Sequence, residues 1–430
     1  MTDRLHPSRV RACADTESDA LNQRCVCRVI DTTSLRETLE AALPATGLVD
    51  PQVHSSLFSG QALFIDRVAL DAMTAVAASV FDAVASQGYI EHVLSWAPEL
   101  ARHDPGSVGG VLGLDFHLTV SGPRLIEINT NPGGLLLNAL ALDEVRSCAP
   151  ATWVPWATSA DARDSAIAAW LDDMRSQLGR TPERVAIVDD APHEQYLHPE
   201  FALFTRAFRA SGVSSVICSP QELALGSDGL RDGSGPIDAV YNRLTDFALA
   251  APENEALGNA YRRGAIALSP HPRAHALFAD KRNLAVLGDP ALLERWGIDA
   301  AVAQRLTQAI PKTVVIGAEN RDALWAERKK YFFKPATGYG SRGSYRGAKL
   351  TKRTWDDMAS SSYVAQSFTP PGMRLAHGGI SLKADVRCFA SISGVLLFAG
   401  RLYQGQTTNM RTPGGGFAAV LTTPGSEERT

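Results

Sequence analysis

Residues 111–134 read VLGLDFHLTVSGPRLIEINTNPGG, which is two apolar segments on either side of the turn-forming letters SGP. Alternation of apolar and polar side chains predicts a β-strand in each segment, and the pair predicts a hairpin. In a strand, side chains two positions apart share a face. Glu127 and Asn129 are therefore expected on one side of the second strand, while Ile126 and Ile128 face the core.

A turn centred on Gly122 pairs Asp115 with Asn129 and His117 with Glu127, which predicts that these four polar side chains share one face. Asp115, Glu127 and Asn129 then offer two carboxylates and an amide oxygen at one spot. Such hard oxygen ligands suit Mg²⁺, which usually completes its coordination with phosphates and water. The alternative is a group of solvent-facing polar residues on a half-exposed hairpin.

The composition limits the class of protein. A chain of 430 residues has the length of about two to four domains. The hydrophobic fraction of 45% and the charged fraction of 20% are ordinary for a globular protein, and the net charge of -4 gives no general reason to bind nucleic acid or an anionic membrane. The first residues contain no apolar signal segment, and no run of about 18 apolar residues follows, so we expect a cytoplasmic protein.

The cysteines favour neither a disulfide framework nor a zinc site. They are scattered, and the Cys25-Val26-Cys27 pair has no partner pair at metal-ligand spacing. We therefore expect reduced, mostly buried thiols at Cys13, Cys25, Cys27, Cys148, Cys218 and Cys388.

The rest of the chain shows three patterns. Residues 66–101 carry helical periodicity. Residues 183–247 alternate between strand and helix (RVAIVDD, PEFALFTRAFRASG, SSVICS, DAVYNR), which predicts an α/β layer with a parallel sheet. From residue 331 onward, strand-like segments (YFFKP, YVAQSF, DVRCFASISGVLLFAGRLY, GGGFAAVL) are joined by glycine-rich connections.

Residues 332–347, FFKPATGYGSRGSYRG, match the pattern G-x-G-x-x-G at Gly338, Gly340 and Gly343. A dinucleotide-binding fingerprint needs an apolar helix directly after the glycines, but the sequence that follows is polar. Lys334 on a short apolar strand before the loop indicates another use, in which backbone N–H groups cover phosphates and the lysine supplies charge. The alternative is a glycine-rich tip of a surface hairpin.

Residues 383–420 contain two arginines, Arg387 and Arg401, on strands that otherwise look buried. A buried guanidinium needs an anionic partner, because unpaired burial is costly. Two alternatives are open: the arginines pair with carboxylates of the protein, or they face the phosphates of a ligand. The glycine run 414–416 permits close backbone approach or positive φ.

Together these segments resemble the ATP-grasp ligases, specifically the glutathione synthetase branch. The stretch ADVRCFASISGVLLFAGRLYQGQTTNMRTPGGGFAAV is similar to the family's late series of arginines, asparagine and glycines, and residues 111–134 are similar to its metal-binding segment. In the usual order the metal-binding segment comes last, whereas here it precedes the glycine loop by some 200 residues. That order resembles the circularly permuted, eukaryotic-type glutathione synthetases, in which joining the two ends restores the usual sequence.

The resemblance implies an α/β fold with α+β lobes, a circularly permuted ATP-grasp fold with a Rossmann-like substrate-binding domain. It implies these domains: 1–60, a partly polar N-terminal extension; 61–160, the permuted ATP-grasp portion with the metal-binding hairpin; 161–270, the Rossmann-like substrate domain; and 271–430, the nucleotide-binding portion with the glycine loop.

The resemblance also implies roles for individual residues. Contacts to ATP are expected from Lys281, Lys334, Gly338, Gly340, Gly343, Gln366, Ser367 and Phe368, the last three through main-chain groups to adenine. Catalytic roles are expected for Arg387, Arg401, Gly340, Ser341 and Asn409, and Mg²⁺ ligation for Asp115, Glu127 and Asn129. Substrate contacts are expected from Arg243, Gln195, Glu200, Gly415 and Gly416.

The implied reaction is amide formation: a carboxylate attacks the γ-phosphorus of ATP to give an acylphosphate, and an amine displaces phosphate. ATP and Mg²⁺ are the expected cofactors, the substrates are a small-molecule acid and amine such as an amino acid or small peptide, and a homodimer is compatible. Two departures from the family, Thr408 in place of an arginine and Gly113 in place of a substrate-contacting arginine, leave the substrate open. A small-molecule kinase on the same fold and a non-catalytic ATP-binding regulator are the alternatives.

Overall fold

The computed structural model describes residues 17–25, 30–42, 57–145, 153–338, 340 and 342–423. Its strands are β1 (Phe58–Phe64), β2 (Leu112–Thr119), β3 (Gly122–Asn129), β4 (Val154–Pro155), β5 (Arg184–Val188), β6 (Ser214–Cys218), β7 (Ala224–Gly226), β8 (Gly229–Asp232), β9 (Gly235–Ile237), β10 (Ala239–Asn242), β11 (Ala267–Ser269), β12 (Thr313–Val315), β13 (Tyr331–Pro335), β14 (Tyr345–Arg346), β15 (Tyr363–Ser367), β16 (Gly372–Leu375), β17 (Ser381–Ser391), β18 (Gly394–Tyr403) and β19 (Gly416–Thr422).

Its α-helices are α1 (Glu17–Arg24), α2 (Thr32–Ala42), α3 (Arg67–Val84), α4 (Gln87–Leu94), α5 (Leu135–Leu142), α6 (Ser159–Leu178), α7 (His198–Ala210), α8 (Glu255–Arg262), α9 (Pro272–Ala274, continued by a π-helical turn His275–Ala279), α10 (Arg282–Leu287), α11 (Pro290–Arg295), α12 (Ala300–Ala309), α13 (Arg321–Ala326) and α14 (Lys352–Asp357). The helices predicted from the periodicity of residues 66–101 are confirmed as α3 and α4.

The central sheet joins strands from both halves of the chain in the order β1-β19-β18-β17-β2-β3, with β16 on β17 and β4 on β19. The early hairpin β2–β3 therefore lies directly beside the late strand β17, to which β2 is antiparallel. One face of the sheet packs against α3, whose buried Leu70, Met73 and Val80 belong to the same apolar core as Val386 and Phe398. This arrangement brings residues far apart in sequence into one wall; the circular permutation itself stays a prediction.

The register of the hairpin differs from the predicted one. Asp115 lies opposite Glu127, and His117 lies opposite Arg124, so both predicted pairs are wrong. The turn is a tight one at residues 120–121 rather than one centred on the following glycine. An earlier turn shifts every pair along the strands, because hairpin register follows from the position and length of the loop.

A β-bulge in β3 also changes which side chains face the core. The register shifts between Asp115 and Phe116, which leaves Ile126 without a partner. Leu125 and Ile128 are consequently both buried in the core, while Ile126 is half-buried at the opposite face. The prediction that Ile126 faces the core is wrong, because an extra residue in one strand interrupts the two-residue alternation.

The second layer is a parallel sheet in the order β11-β10-β5-β6, as the alternating pattern of residues 183–247 predicted. Helices α6 and α7 cover it through Trp170, Phe204 and Phe208, which pack with Ile187 and Tyr241 of the strands. The carboxyl ends of parallel strands form the edge at which open α/β sheets bind ligands. A small antiparallel sheet, β7-β8-β9, lies beside this layer.

The third layer is the antiparallel sheet β12-β15-β13-β14, and the glycine loop connects β13 to β14. Its own core contains Phe333, Trp355 and Ala365. The strands predicted beyond residue 331 are confirmed here and in the central sheet. The loop therefore projects from a sheet that faces the hairpin of the central sheet, since Lys334 of β13 contacts Ile126 of β3.

The thiols that the structure describes, Cys25, Cys218 and Cys388, are free, as expected, and burial raises the pKa of Cys218 to about 12. Cys13, Cys27 and Cys148 lie outside the described residues. Among the described helices, none alone has both the length and the apolar character needed to cross a membrane, although α3 and α4, bent by 77° at their junction, meet that test as a pair.

Candidate active site

The first cavity lies between the antiparallel sheet β12-β15-β13-β14 and the hairpin β2–β3. Its lining includes predicted ATP contacts from four separate segments: Lys281, Lys334, Gly338, Gln366, Ser367 and Phe368. The fold thus brings together residues that the sequence could associate only by resemblance.

Two lysines stand at the inner end of the first cavity. Lys334 is 7% exposed, and its Nζ donates to the carbonyl oxygen of Ile126 at 2.7 Å and to Gln366 Oε1 at 2.9 Å. Lys281 Nζ donates to the carbonyl oxygen of Gly338 at 3.0 Å and lies 3.2 Å from Glu127 Oε1. Burial lowers the pKa of Lys334 to about 8. Two ammonium groups that share one carboxylate favour binding of an anion such as a phosphate.

The outer part of the first cavity is formed by the end of β15 and the segment after it. The N–H of Ser367 donates to the carbonyl of Lys312, and the N–H of Phe368 donates to the carbonyl of Lys330. Main-chain contacts from these two residues to a base would therefore use carbonyl oxygens rather than N–H groups. The guanidinium of Arg346 lies 4.4 Å from the centre of the Phe368 ring. An aromatic ring at this end is suited to stacking on a flat base.

The second cavity adjoins the first and shares five lining residues with it: Ile126, Glu127, Lys281, Gly338 and Thr408. Its other lining residues include the predicted site residues Asp115, Asn129, Arg243, Gly340, Arg387 and Arg401. Gly340 adopts φ +59, a left-handed conformation that favours glycine. Glu127, Lys281 and the start of the glycine loop thus form a wall common to both cavities.

Asp115 is the centre of a buried ion-pair network in the second cavity. Arg387 donates from Nε to Oδ1 at 2.7 Å and from Nη2 to Oδ2 at 2.8 Å. Arg401 Nη2 lies 2.9 Å from Asp115 Oδ2, and Arg401 Nε donates to Oδ1 of Asp385 at 2.5 Å. Burial alone would raise the pKa of Asp115, but the two guanidinium groups outweigh it and lower the pKa. Of the two alternatives for these arginines, pairing with the protein's own carboxylates is the one observed.

The donor set of the predicted metal site fits Mg²⁺ in part. Burial raises the pKa of Glu127, but Lys281 and Lys334 outweigh burial and lower it, so the carboxylate is ionised at neutral pH. Asn129 Nδ2 donates to Asp115 Oδ2 at 3.1 Å, which orients the amide and leaves Oδ1 as its acceptor atom. A carboxylate and an amide oxygen suit a cation that takes its remaining ligands from phosphates and water.

Both carboxylate oxygens of Asp115 already accept hydrogen bonds from other side chains. Its Oδ2 receives contacts from two guanidinium groups and from Asn129. Among the residues that the structure describes, no group of three or more His, Cys, Asp or Glu side chains has the geometry to hold a metal ion. The role of Asp115 as a direct ligand stays a prediction.

Arg243 lies at the carboxyl end of β10 and lines the second cavity. It is 8% exposed, and its Nη1 donates to Asn131 Oδ1 at 2.5 Å and to the hydroxyl of Tyr241 at 3.2 Å. Its Nε is buried without a hydrogen-bond partner, and the described residues place no carboxylate within 4.0 Å of it. Burial raises the pKa of Asp189 to about 6, although Arg243 lowers it. Burial would lower the pKa of Arg243, but Tyr241, Glu200 and Asp189 outweigh burial and raise it, so the guanidinium is charged.

Several predicted residues do not line either cavity. Gln195 is half-buried and donates to the carbonyl of Asp190 at 2.5 Å. Glu200 is fully buried and accepts hydrogen bonds from the N–H groups of Gly134 and Leu136 at 2.8 and 3.1 Å, so it holds the start of α5. The substrate contacts predicted for these two side chains stay predictions.

The late glycines and Asn409 also lie apart from the cavities. A Cβ atom on Gly416 would lie 2.7 Å from the backbone of Phe58 and Ser59, so this glycine permits β19 to pack against β1. Gly415 is buried, and Asn409 is exposed and accepts from the N–H of Arg411. Gly343 adopts φ +68 between two residues that line the first cavity, and Ser341 lies outside the described residues.

Sequence reasoning missed other residues in or next to the two cavities. Asp385 is fully buried and pairs with Arg401 and Thr408, which line the second cavity, and its position two before Arg387 on one strand is a signal that could have shown it. His275 lines the second cavity and stacks on Phe247 with ring centres 3.7 Å apart, a contact that no local pattern indicates. Further residues of this kind line the first cavity: His117, Arg342, Ser344, Arg346, Lys383 and Tyr403.

The architecture and the two adjoining cavities define an ATP-grasp fold. Among solved structures, the chain is similar to a glutathione synthetase-like effector from Globodera pallida in its apo form, with a TM-score of 0.55 and 12% sequence identity over 90% of this chain and 96% of that one. It is also similar to the ATP-grasp ligase PsnB in complex with a minimal precursor, Mg and ADP, with a TM-score of 0.29 and 16% identity over 55% of this chain and 87% of that one. No protein-family profile and no curated protein matches the sequence.

Proposed function

We propose that the protein is an ATP-dependent ligase that joins a carboxylate to an amine through an acylphosphate. The observation that carries this proposal is the wall common to the two cavities. Lys334 supplies positive charge in the first cavity, and Arg243 supplies it in the second. A nucleotide in the first and an acid in the second meet at Glu127 and Lys281.

The charges of the second cavity favour a carboxylate acceptor over a hydroxyl acceptor. A kinase that phosphorylates a hydroxyl group needs a base to take the proton, as the catalytic aspartate does in protein kinases. The carboxylates in this cavity, Asp115 and Glu127, have lowered pKa values and face cationic side chains, which makes them weak bases. A carboxylate substrate is already ionised and needs no base to attack phosphorus.

The chain's own residues have separable roles in this proposal. Lys281 and Lys334 hold phosphate oxygens, Arg243 orients the acid, and the amides of the glycine loop cover the transferred group. Glu127 and Asn129 would hold Mg²⁺, which supplies positive charge to the phosphoryl oxygens when bound. The Asp115 network keeps Arg387 and Arg401 fixed in the wall of the cavity. Catalysis then depends on positioning and electrostatics rather than on a nucleophilic side chain.

The deciding experiment supplies hydroxylamine in place of the amine. The full-length protein is incubated with ATP, Mg²⁺ and a panel of amino acids, γ-glutamyl dipeptides and other small acids, and ADP and hydroxamate are measured together. We expect equal amounts of ADP and hydroxamate with one class of acid. A phosphorylated product with ADP and no hydroxamate indicates the kinase alternative, and ATP binding without ADP release indicates the regulator.

Arg243→Lys is expected to raise the KM for the acid by roughly tenfold or more, a loss of about 1.4 kcal/mol, with little change in the KM for ATP. The reason is that an ammonium cannot reproduce the paired hydrogen bonds of a guanidinium to a carboxylate. Saturation curves for each substrate and a melting curve on the same preparation measure this. Arg163→Lys, on the exposed face of α6, is the control. Equal shifts in both KM values, or a lower melting temperature with both KM values unchanged, contradict the assignment.

Gly340→Val is expected to lower turnover by roughly tenfold or more while the affinity for ATP changes little. Closure of the loop is needed for phosphoryl transfer, whereas the base is held by the remote end of the first cavity, and a β-branched residue is strained at φ +59. Rapid-quench turnover and equilibrium ATP binding separate the two effects. Gly212→Val tests the same change at positive φ in an open surface turn. An unchanged rate would return the loop to the surface-hairpin alternative.

A further inference from the structure

A third cavity adjoins the second at Thr245, Phe247, His275 and Gly338, which line both. Its remaining lining residues are small or acidic: Pro98, Asp246, Ala248, Pro272, Ala276, Asp280 and Thr337. The third cavity shares only Gly338 with the first cavity among its lining residues. No residue predicted from the sequence, apart from that glycine, belongs to it.

The third cavity is negatively charged. No lysine or arginine of the described chain lines it. Asp280 is neutralised by Arg282, whose Nε and Nη2 donate to its two oxygens at 3.0 and 2.5 Å. Asp246 has no ion-pair partner among the described residues, and its Oδ2 accepts only neutral donors, the N–H of Ala251 and the amide of Asn254, both at 2.8 Å. An unpaired carboxylate at a cavity wall favours a cationic group and repels an anionic one.

The boundary between the second and third cavities carries a ring nitrogen of His275 that has no hydrogen-bond partner among the described residues. His275 Nδ1 lies 3.3 Å from Thr130 Oγ1, and its Nε2 is buried without a hydrogen-bond partner in the described structure. The ring is fixed by stacking on Phe247 at 3.7 Å. Burial lowers the pKa of His275 to about 3, so the imidazole is neutral near pH 7, and Nε2 is an acceptor in the tautomer whose Nδ1–H donates to Thr130 Oγ1. A buried polar atom of this kind is costly unless a ligand satisfies it.

We propose that the third cavity admits the amine substrate, and that this substrate is a small primary amine without a carboxylate. Where the amine carries a second, cationic group, that group faces Asp246. The inference rests on the proposed ligase function, because it takes the acid to be held by Arg243 in the second cavity. An amino acid with a free carboxylate would place that group beside Asp246 with no cation to compensate it.

The bond-forming step follows from this arrangement. The amine nitrogen, hydrogen-bonded to His275 Nε2, attacks the carbonyl carbon of the acylphosphate, and the C–N bond forms. The bond from that carbon to the bridging phosphate oxygen breaks, and its electron pair leaves with the phosphate. One N–H proton passes to an oxygen of the released phosphate, so the products are an amide and hydrogen phosphate.

The test compares three amines of similar size with the acid found in the hydroxylamine screen: 1,4-diaminobutane, glycinamide and glycine. We expect kcat/KM for the diamine and for glycinamide to exceed that for glycine by roughly tenfold or more. Asp246→Asn should lower kcat/KM for the diamine by roughly tenfold, while glycinamide and hydroxylamine change by less than about threefold. Asp322→Asn, an exposed carboxylate on α13, is the matched control.

Ala248→Lys keeps the proposal testable if Asp246→Asn fails to fold, because it places a cation in the same wall without removing a hydrogen bond. This variant should reverse the preference, improving glycine and weakening the diamine. Glycine used as well as glycinamide by the wild-type protein, or an unchanged preference in Ala248→Lys, overturns the amine assignment alone. Failure of every acid to give hydroxamate overturns the ligase proposal, and the amine assignment with it.

Discussion

Asp115→Asn is expected to lower the free energy of unfolding by about 3–5 kcal/mol, the usual cost of removing one partner from a buried ion pair. The change keeps the size of the side chain but removes the negative charge that Arg387 and Arg401 share. Arg401 retains Asp385, whereas Arg387 keeps only a 3.4 Å contact to the carbonyl of Gly133. The loss therefore falls mainly on Arg387, which is left charged and buried.

The pKa of Asp115 gives the pH range in which this contribution exists. The folded protein holds that pKa below the ordinary value of 3.8, so the carboxylate stabilises the fold at neutral pH and the contribution is lost only as the pH falls into the acid range. Denaturant unfolding of the wild type and the variant at pH 7, followed by circular dichroism, measures the difference.

Two variants make this result interpretable. Asp322→Asn is the same chemical change on an exposed carboxylate, and it should alter the free energy of unfolding by less than about 0.5 kcal/mol. Asp115→Asn combined with Arg387→Met should recover part of the loss, because removing the unpaired charge removes its desolvation cost. If the double variant is as unstable as the sum of the two single variants, the ion pair does not account for the loss.

Glu127→Gln is expected to raise the Mg²⁺ concentration needed for half-maximal turnover by roughly hundredfold, because it removes a carboxylate that we propose as a direct Mg²⁺ ligand. This effect lies at the upper end of the 10- to 100-fold loss typical of outer partners. The substitution also removes the ion-pair partner of Lys281, whose Nζ lies 3.2 Å from Glu127 Oε1 at the wall common to both cavities. The measurement is turnover against free Mg²⁺ at saturating ATP, with a melting curve on the same sample.

The companion variants separate metal binding from folding. Asn129→Asp should also change the Mg²⁺ dependence, since it converts the amide oxygen into a charged ligand next to Asp115. Glu194→Gln, exposed before α7, should leave the curve unchanged. Normal turnover of both Glu127→Gln and Asn129→Asp at limiting Mg²⁺ is incompatible with a metal site at the end of β3.

Local sequence patterns predicted the elements of this fold well. The alternation of residues 183–247 predicted the parallel layer, and the helical periodicity of 66–101 predicted α3 and α4, because burial of one face imposes these periods on the sequence. The same reasoning gave the wrong hairpin register. One unpaired residue, Ile126, shifts the alternation, and nothing in the letters around it distinguishes a bulge from a regular strand.

The candidate site depends on contacts between distant segments. Residue types alone indicated that Arg387 and Arg401 need anionic partners, since a buried guanidinium requires one. Which partner each arginine takes was decided by the order of strands, which lays β17 between β2 and β18 and so brings Asp115 against both arginines. The same order explains why Gly416, at the start of β19, packs against β1. The substrate contacts predicted for Gly415 and Gly416 stay predictions.

The sequence by itself determined the secondary structure, the strand-rich late segment and the lysines and carboxylates available for a nucleotide and a metal, because periodicity and residue chemistry are local properties. The tertiary structure alone decided where those groups meet. Lys334 and Ile126, 208 residues apart, are joined by one hydrogen bond, and His275 and Phe247 are joined by ring stacking. Each cavity lies between packed layers, and its net charge is the sum of the charged side chains that several helices, strands and loops contribute. No single stretch of sequence contains all of those side chains.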